Sequence, residues 1–287
     1  MKHETVGDVY FVCHELRSCG DTEIFDRIGP GAIYEVIKLI EGIPLFFEAH
    51  MDRLKRSADL AGERVEKNEA EIWDEIHTLV EKNRKEHINV KLICCREKKG
   101  ELFLTYFIRS EYPGPDVYAK GIRTVLYGGE REMPNIKTLR DSFRARVEGM
   151  REKTGAYEAL LVDQNGYVTE GSRSNIFFVK QGEIFTPPAG TVLLGVTRQH
   201  VVKICKSLGL NFREHPLHRS ELGKIDGAFI TGTTVDVLPV SHVDEISLSS
   251  VSHPLVQKIV EAFAKEISSY IRERKTRRES GTSGGSR

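Results

Sequence analysis

The chain has 287 residues, 39% hydrophobic and 29% charged, with Lys plus Arg equal to Asp plus Glu at 42 each. That length and balance suit one or two domains with a sizeable core and exclude a disordered or fibrous chain. With no net charge there is no global field for nucleic acid, and no apolar run approaches the roughly 20 residues that span a bilayer.

The opening MKHETVGDVYFV lacks the basic, apolar and small-residue pattern of a signal peptide, so a cytoplasmic protein is expected. The five cysteines, Cys13, Cys19, Cys94, Cys95 and Cys205, are odd in number and show no paired CxxC spacing. They fit a reducing compartment, and no metal is expected. Cys94 and Cys95 sit in an apolar run, as small half-buried strand residues.

Taken in chain order, strands are predicted at Val9–Cys13 and Ala32–Ile40, with a turn at Glu41-Gly42. Leu54, Ala58 and Ala61 recur at helical spacing within Leu45–Gly62, and Ile72, Ile76, Leu79 and Val80 do so around Trp73 within Lys67–Lys82. Strands at Ile88–Arg96 and Glu101–Ile108 flank Glu97–Gly100 as a hairpin. Two prolines and a glycine in Glu111–Asp116 stop regular structure. The boundaries that follow are an N-terminal domain of residues 1–112, a linker over 113–120 and a larger domain over 121–272. That larger domain is expected to hold short strands at Gly121–Tyr127, Ala159–Val162, Val168–Glu170, Asn175–Val179 and Glu183–Thr186, with helices near Leu139–Lys153 and Arg198–Leu208. Residues 273–287, basic and then Gly/Ser-rich, are expected to fray into a disordered tail. The fold class is α/β, of α+β type.

Three stretches suggest chemistry. In Val168-Thr-Glu-Gly-Ser-Arg-Ser-Asn175 an acid ends a strand beside Gly171, which gives a flat ligand room to approach; an exposed turn glutamate is the plain alternative. In Leu193-Leu-Gly-Val-Thr-Arg198 a glycine precedes a helix start, which is either an anion site or only a cap. Phe229-Ile-Thr-Gly-Thr-Thr234 is a strand ending in hydroxyls, a possible phosphate cradle.

Together with Glu48–Ala58 (EAHMDRLKRSA), Asn135–Leu139 (NIKTL), Tyr157–Leu161 (YEALL) and Thr186-Pro-Pro188, these stretches resemble, in order, the class IV aminotransferases. The resemblance runs from about Tyr34 to Val240. It implies a two-domain fold-type IV architecture with pyridoxal 5'-phosphate in the cleft between domains, and a homodimer. It also implies residue roles. Lys137 forms the Schiff base and shuttles the substrate proton. Glu170 holds the pyridine nitrogen, so that the ring accepts electrons. Arg53 pairs with the cofactor phosphate, helped by Val196 and Thr197 at the helix start and by the Thr233 hydroxyl.

The chain also departs from the family. Arg27 stands in Asp26–Ala32, where relatives have an aromatic-rich turn, and Arg140 stands where many have asparagine. Both, with Thr234, are candidates for substrate contact; Arg27 equally suits a surface role, and Arg140 suits a charged first-turn position somewhat better. The Arg-x-His pair of the D-amino-acid enzymes is missing from Leu102–Ile108, whereas Glu130–Leu139 is closer to those enzymes than to the branched-chain ones. The expected reaction moves an amino group from a branched-chain or other hydrophobic amino acid to a 2-oxo acid. The alternatives are a D-amino-acid aminotransferase, an aminodeoxychorismate lyase and a non-catalytic binding homologue.

Overall fold

The computed structural model describes residues 4–98, 100–129, 131, 133–139 and 141–282. The chain divides into two units. The first holds residues up to Glu111, the three residues Lys137–Leu139 and the chain from Ala264 onward; the second holds the rest between Tyr112 and Phe263.

The first unit contains β1 (Val9–Val12), β2 (Glu15–Ser18), β3 (Ile33–Ile40), β4 (Ile43–Pro44), α1 (Phe47–Leu60), α2 (Glu69–Asn83), β5 (Ile88–Glu97) and β6 (Gly100–Ile108). Its sheet is antiparallel throughout, in the order β2-β1-β6-β5-β3-β4. Side chains alternate across a strand. Ile33, Ile37 and Leu39 therefore pack with Met51 and Leu54 of α1 and Ile76 and Leu79 of α2. Tyr34 joins Phe25, Ile93, Leu104 and Tyr106 in a second cluster. Asn68 and Glu71 close a capping box at the start of α2.

Residues 137–139 are laid along β3. Tyr34 N–H donates to the Lys137 carbonyl at 3.0 Å, Leu139 N–H to Ala32 at 3.0 Å, and Gly31 N–H to Leu139 at 3.1 Å. Leu139 is buried in the same cluster as Tyr34.

The second unit contains α3 (Pro115–Lys120), β7 (Ile122–Gly128), α4 (Asp141–Thr154), β8 (Glu158–Val162), β9 (Tyr167–Gly171), β10 (Asn175–Lys180) and β11 (Glu183–Thr186). It continues with α5 (Val196–Ser207), β12 (Phe212–Glu214), β13 (Leu217–His218), β14 (Gly227–Gly232), β15 (Asp236–Val243) and β16 (Ile246–Ser247). Its sheet is mixed, in the order β12-β11-β10-β14-β15-β7-β8-β9-β13, with β16 beside β15. Parallel pairing is confined to β11·β12, β15·β7 and β7·β8. Phe178, Phe185, Ile230, Leu238 and Val240 lie in its core.

Two expectations differ from this structure. The linker predicted over 113–120 includes α3, because Pro115 stands at the helix start, where its fixed φ suits the first turn and its missing N–H costs nothing. The tail predicted from residue 273 is helical through Thr282, as the end of α6 (Pro254–Thr282). The Arg274 guanidinium lies 5.2 Å from the ring centroids of both Trp73 and Tyr270 and pairs with Glu48, and Lys275 pairs with Glu41. Apart from Tyr270, those partners come from α1, α2 and the turn after β3, all distant in the chain. No helix among the described residues is long and apolar enough to cross a membrane.

Candidate active site

In the first unit the chemistry gathers around β3. Because Tyr34 and Glu35 are neighbours in a strand, their side chains leave opposite faces. Lys137 Nζ lies 4.6 Å from the Tyr34 ring centroid, a cation on an aromatic face, and the Lys137 N–H reaches Ser57 Oγ of α1 at 3.4 Å. The half-buried lysine is thus fixed at its backbone by the strand and by α1.

Arg53 stands one helical turn before Ser57. Its Nε and Nη2 donate to the two oxygens of Glu35 at 2.7 and 2.6 Å, while His50 Nδ1 lies 2.9 Å from Glu35 Oε2. All three side chains are buried. Burial alone would raise the Glu35 carboxyl, yet the charge and hydrogen bonds of Arg53, with those of His50, hold it down at about 2. The His50 imidazole is lowered, first by burial, and also by the charges of Arg53 and Lys137; the bond to Glu35 acts the other way. Arg53 Nη1 has no hydrogen bond to a described residue, so one corner of the fork remains for an anion.

The second unit gathers the other expected residues. Glu170, buried near the end of β9, receives the Leu193 N–H on Oε2 at 3.1 Å and lies 3.1 Å from Arg131 Nε on Oε1. Arg131 Nη2 also donates to the Ser172 carbonyl at 2.6 Å. Asn175 Nδ2 donates to the Leu193 carbonyl at 2.8 Å, so both polar groups of the Leu193 residue are held by the VTEGSRSN stretch. This fixes the entry to α5, whose N-cap is Gly195 and whose first turn receives no side-chain cap. The amides of Val196 and Thr197 lie in that turn, where helical geometry leaves N–H groups unmatched. A Cβ on Gly195 would stand 2.1 Å from Asn175 Oδ1, so the close approach requires glycine.

Near the end of β14, Thr231 Oγ1 is buried without a hydrogen-bond partner among the described residues, and Thr233 and Thr234 follow it, half-buried. A buried hydroxyl is seldom left unpaired, and an orphan in this segment fits a ligand oxygen. The donor chemistry therefore suits pyridoxal phosphate: in one unit an anchored lysine and an arginine with a free corner, in the other a held carboxylate, uncapped amides and an unsatisfied hydroxyl.

Two candidates remain. Arg27 is exposed and gives Nε and Nη2 to the two oxygens of Glu97, which is the surface role. Arg140 lies outside the described residues. Among those residues no group of His, Cys, Asp and Glu is arranged to hold a metal. Reading the sequence missed Glu35, His50, Tyr34, Arg131 and Leu193. All five lie within the stretch of resemblance, but the contacts of Arg131 and Leu193 join distant stretches, which no local pattern announces.

The amino-transferase class IV family model matches residues 32–243. A D-alanine aminotransferase of Bacillus licheniformis is 29% identical, over 84% of this chain and 89% of its own. A branched-chain-amino-acid aminotransferase of Salmonella typhimurium is 28% identical, over 75% of each chain. A solved T.th. branched-chain amino acid aminotransferase with pyridoxamine 5'-phosphate has the same fold, with a TM-score of 0.81 and 22% identity over 93% of this chain and 96% of that one.

Proposed function

Since the chain belongs to the class IV aminotransferases and is a pyridoxal-phosphate-dependent transaminase, we propose that its donor is a branched-chain or other hydrophobic amino acid and its acceptor a 2-oxo acid. The observation that carries the residue roles is the pairing of residues 137–139 along β3, with Lys137 Nζ on the Tyr34 ring. When bound, pyridoxal phosphate supplies an aldehyde for the amino group and a ring that takes up the electrons left when the α-proton departs.

Lys137 would hold the cofactor through Nζ and, once released by the incoming amine, would carry the proton of the substrate α-carbon on the same Nζ. Arg53, with its fork steadied by Glu35, would offer Nη1 to the phosphate. In the second unit, Val196, Thr197 and Thr233 would supply donors suited to a phosphate. Glu170, paired with Arg131, would hold the pyridine nitrogen of the cofactor.

The hydrophobic donor is supported by β6, where Leu102–Ile108 reads LFLTYFI and carries no cation for a second carboxylate clamp. A D-amino acid is the second reading, favoured by the likeness to the Bacillus licheniformis D-alanine enzyme over most of both chains. A panel of L- and D-amino acids against 2-oxoglutarate and pyruvate tests the choice. Faster turnover of L-leucine, L-valine or L-isoleucine is expected. Preference for D-alanine overturns it, and pyruvate release from aminodeoxychorismate without an acceptor assigns a lyase instead.

A further inference from the structure

The second unit buries a carboxylate that none of the roles above uses. Glu158, at the start of β8, is 3% exposed. Its Oε1 receives Ser172 Oγ–H at 2.6 Å and the Ala159 N–H at 2.9 Å; its Oε2 receives Ser174 Oγ–H at 2.9 Å and the Arg173 N–H at 3.3 Å. Among the described residues every donor to it is neutral, and a buried carboxylate without a cation is costly to keep. What it secures is the turn directly after Glu170. That turn is closed further by the Gly171 N–H on the Ser174 carbonyl at 2.8 Å and the Ser172 N–H on the Ala159 carbonyl at 2.9 Å. A Cβ on Gly171 would stand 2.1 Å from Ser174 Oγ, so the turn is packed tightly.

The turn leads back to Glu170 by a second route. The Ser172 carbonyl accepts from Arg131 Nη2, and the same guanidinium presents Nε to Glu170 Oε1. We propose that Glu158 is a positioning residue for Glu170: by clamping Ser172, Arg173 and Ser174 it sets the Ser172 carbonyl that aims Arg131 at the Glu170 carboxylate. The proposal rests on the reading that Glu170 faces the cofactor pyridine nitrogen. A carboxylate suits this task because it only accepts and offers about four lone-pair sites, enough for two hydroxyls and two amides. A glutamine of the same shape would turn an NH2 toward one pair of donors and break half of the clamp.

A double-mutant cycle tests this, with the dissociation constant of pyridoxal phosphate read by absorbance titration of the full-length apoprotein. Glu158→Gln is expected to weaken cofactor binding about 10-fold when Glu170 is present, the size of a lost hydrogen bond to a charged group, and less than about 2-fold in a Glu170→Gln background. Equal losses in both backgrounds mean that Glu158 merely supports the fold, and overturn the proposal. If Glu158→Gln does not fold, Ser172→Ala takes its place in the same cycle, with the same two outcomes. A wild-type chain that takes up no pyridoxal phosphate gives a different result from additive losses and overturns the cofactor reading itself.

Discussion

Glu35 holds Arg53 by Nε and Nη2 together, at 2.7 and 2.6 Å, in a pair shut off from solvent. A planar fork gripped along one edge cannot rotate, so its remaining corner points in one direction. The arginine assigned to the cofactor phosphate is therefore preorganised by a strand residue on the far side of its guanidinium.

Acid should undo this pair. The folded Glu35 carboxyl lies at about 2, below its ordinary 4.5, so its contribution is fully present above 4.5 and is lost as pH falls from there through 2. A shift of that size corresponds to about 3 kcal/mol. Thermal unfolding followed from pH 6 to pH 3 should show a Tm that drops steeply below about 4.5 in the wild type and more gently in Glu35→Gln. The variant should also be weaker at neutral pH by about 3–5 kcal/mol, because it leaves Arg53 buried without its anion. Parallel profiles for the two proteins would refute the coupling.

His50 supplies a second and separable window. Its imidazole is lowered from the usual 6.5, chiefly by burial, so the fold prefers it neutral. Between the folded and unfolded values the unfolded chain binds the proton more readily, and stability declines as pH falls below 6.5. His50→Gln should flatten the Tm profile where it begins to fall below pH 6.5, while most of the steeper loss below 4.5, set chiefly by Glu35 with Arg53, remains. If the substitution leaves the upper window unchanged, another group titrates there.

The site's lysine depends on the ring beneath it. Replacing Lys137 by alanine should lower kcat on the order of 10³-fold, within the range for loss of a positioned acid-base group, and should abolish the cofactor adduct trapped by borohydride on the peptide containing residues 135–139. Tyr34→Leu removes the aromatic face from Nζ and should reduce kcat by about 2- to 30-fold, the equivalent of 0.5–2 kcal/mol. Tyr34→Phe keeps the face and should retain most of the activity. Equal losses in the two Tyr34 variants would assign the effect to the hydroxyl.

Much of this was legible in the sequence because it is local. Apolar runs bounded by turn residues mark β3 and β5, period 3.6 marks α1 and α2, and glycine positions mark the entry to α5. The proposed carriers of site chemistry were reached through ordered motifs, since Lys137, Glu170 and Arg53 each sit in a stretch of fixed spacing. What stayed hidden are contacts between distant stretches: Arg131 with Glu170, Asn175 with Leu193, and Arg274 with Trp73. The basic run near the C-terminus has the composition of a solvated tail, and only the position of Trp73 and Glu48 in space makes it a packed helix. For the same reason residues 113–120, rich in turn formers, hide a helix whose proline happens to fall at its first position.

The C-terminal helix also completes α1. Phe46 has a left-handed backbone (φ 53°), and α1 begins without a side-chain cap of its own. The Tyr270 hydroxyl fills that place, accepting the Phe47 N–H at 3.0 Å and donating to Glu48 Oε2 at 3.0 Å, while its ring packs on Phe46 at 5.2 Å. Tyr270→Phe keeps the ring and removes the cap, so a loss of about 1 kcal/mol in chemical denaturation is expected. No change in midpoint would mean that water replaces the hydroxyl at no cost.

The closest packing near the proposed phosphate donors gives the sharpest steric prediction. Gly195 has ordinary φ and ψ of −60° and 139°, so alanine meets no backbone strain there. Its Cβ would instead stand 2.1 Å from Asn175 Oδ1, and the amide that holds the Leu193 carbonyl would have to move. Gly195→Ala should therefore cost about 1–3 kcal/mol, as overpacking does, and weaken pyridoxal phosphate because the amides of Val196 and Thr197 shift with the helix start. Asn175→Ala alone loses the hydrogen bond but opens space. If the clash is the cause, Gly195→Ala costs little further stability in an Asn175→Ala background, and unfolding midpoints of the four proteins decide it. Additive losses would place the requirement for glycine in some other contact.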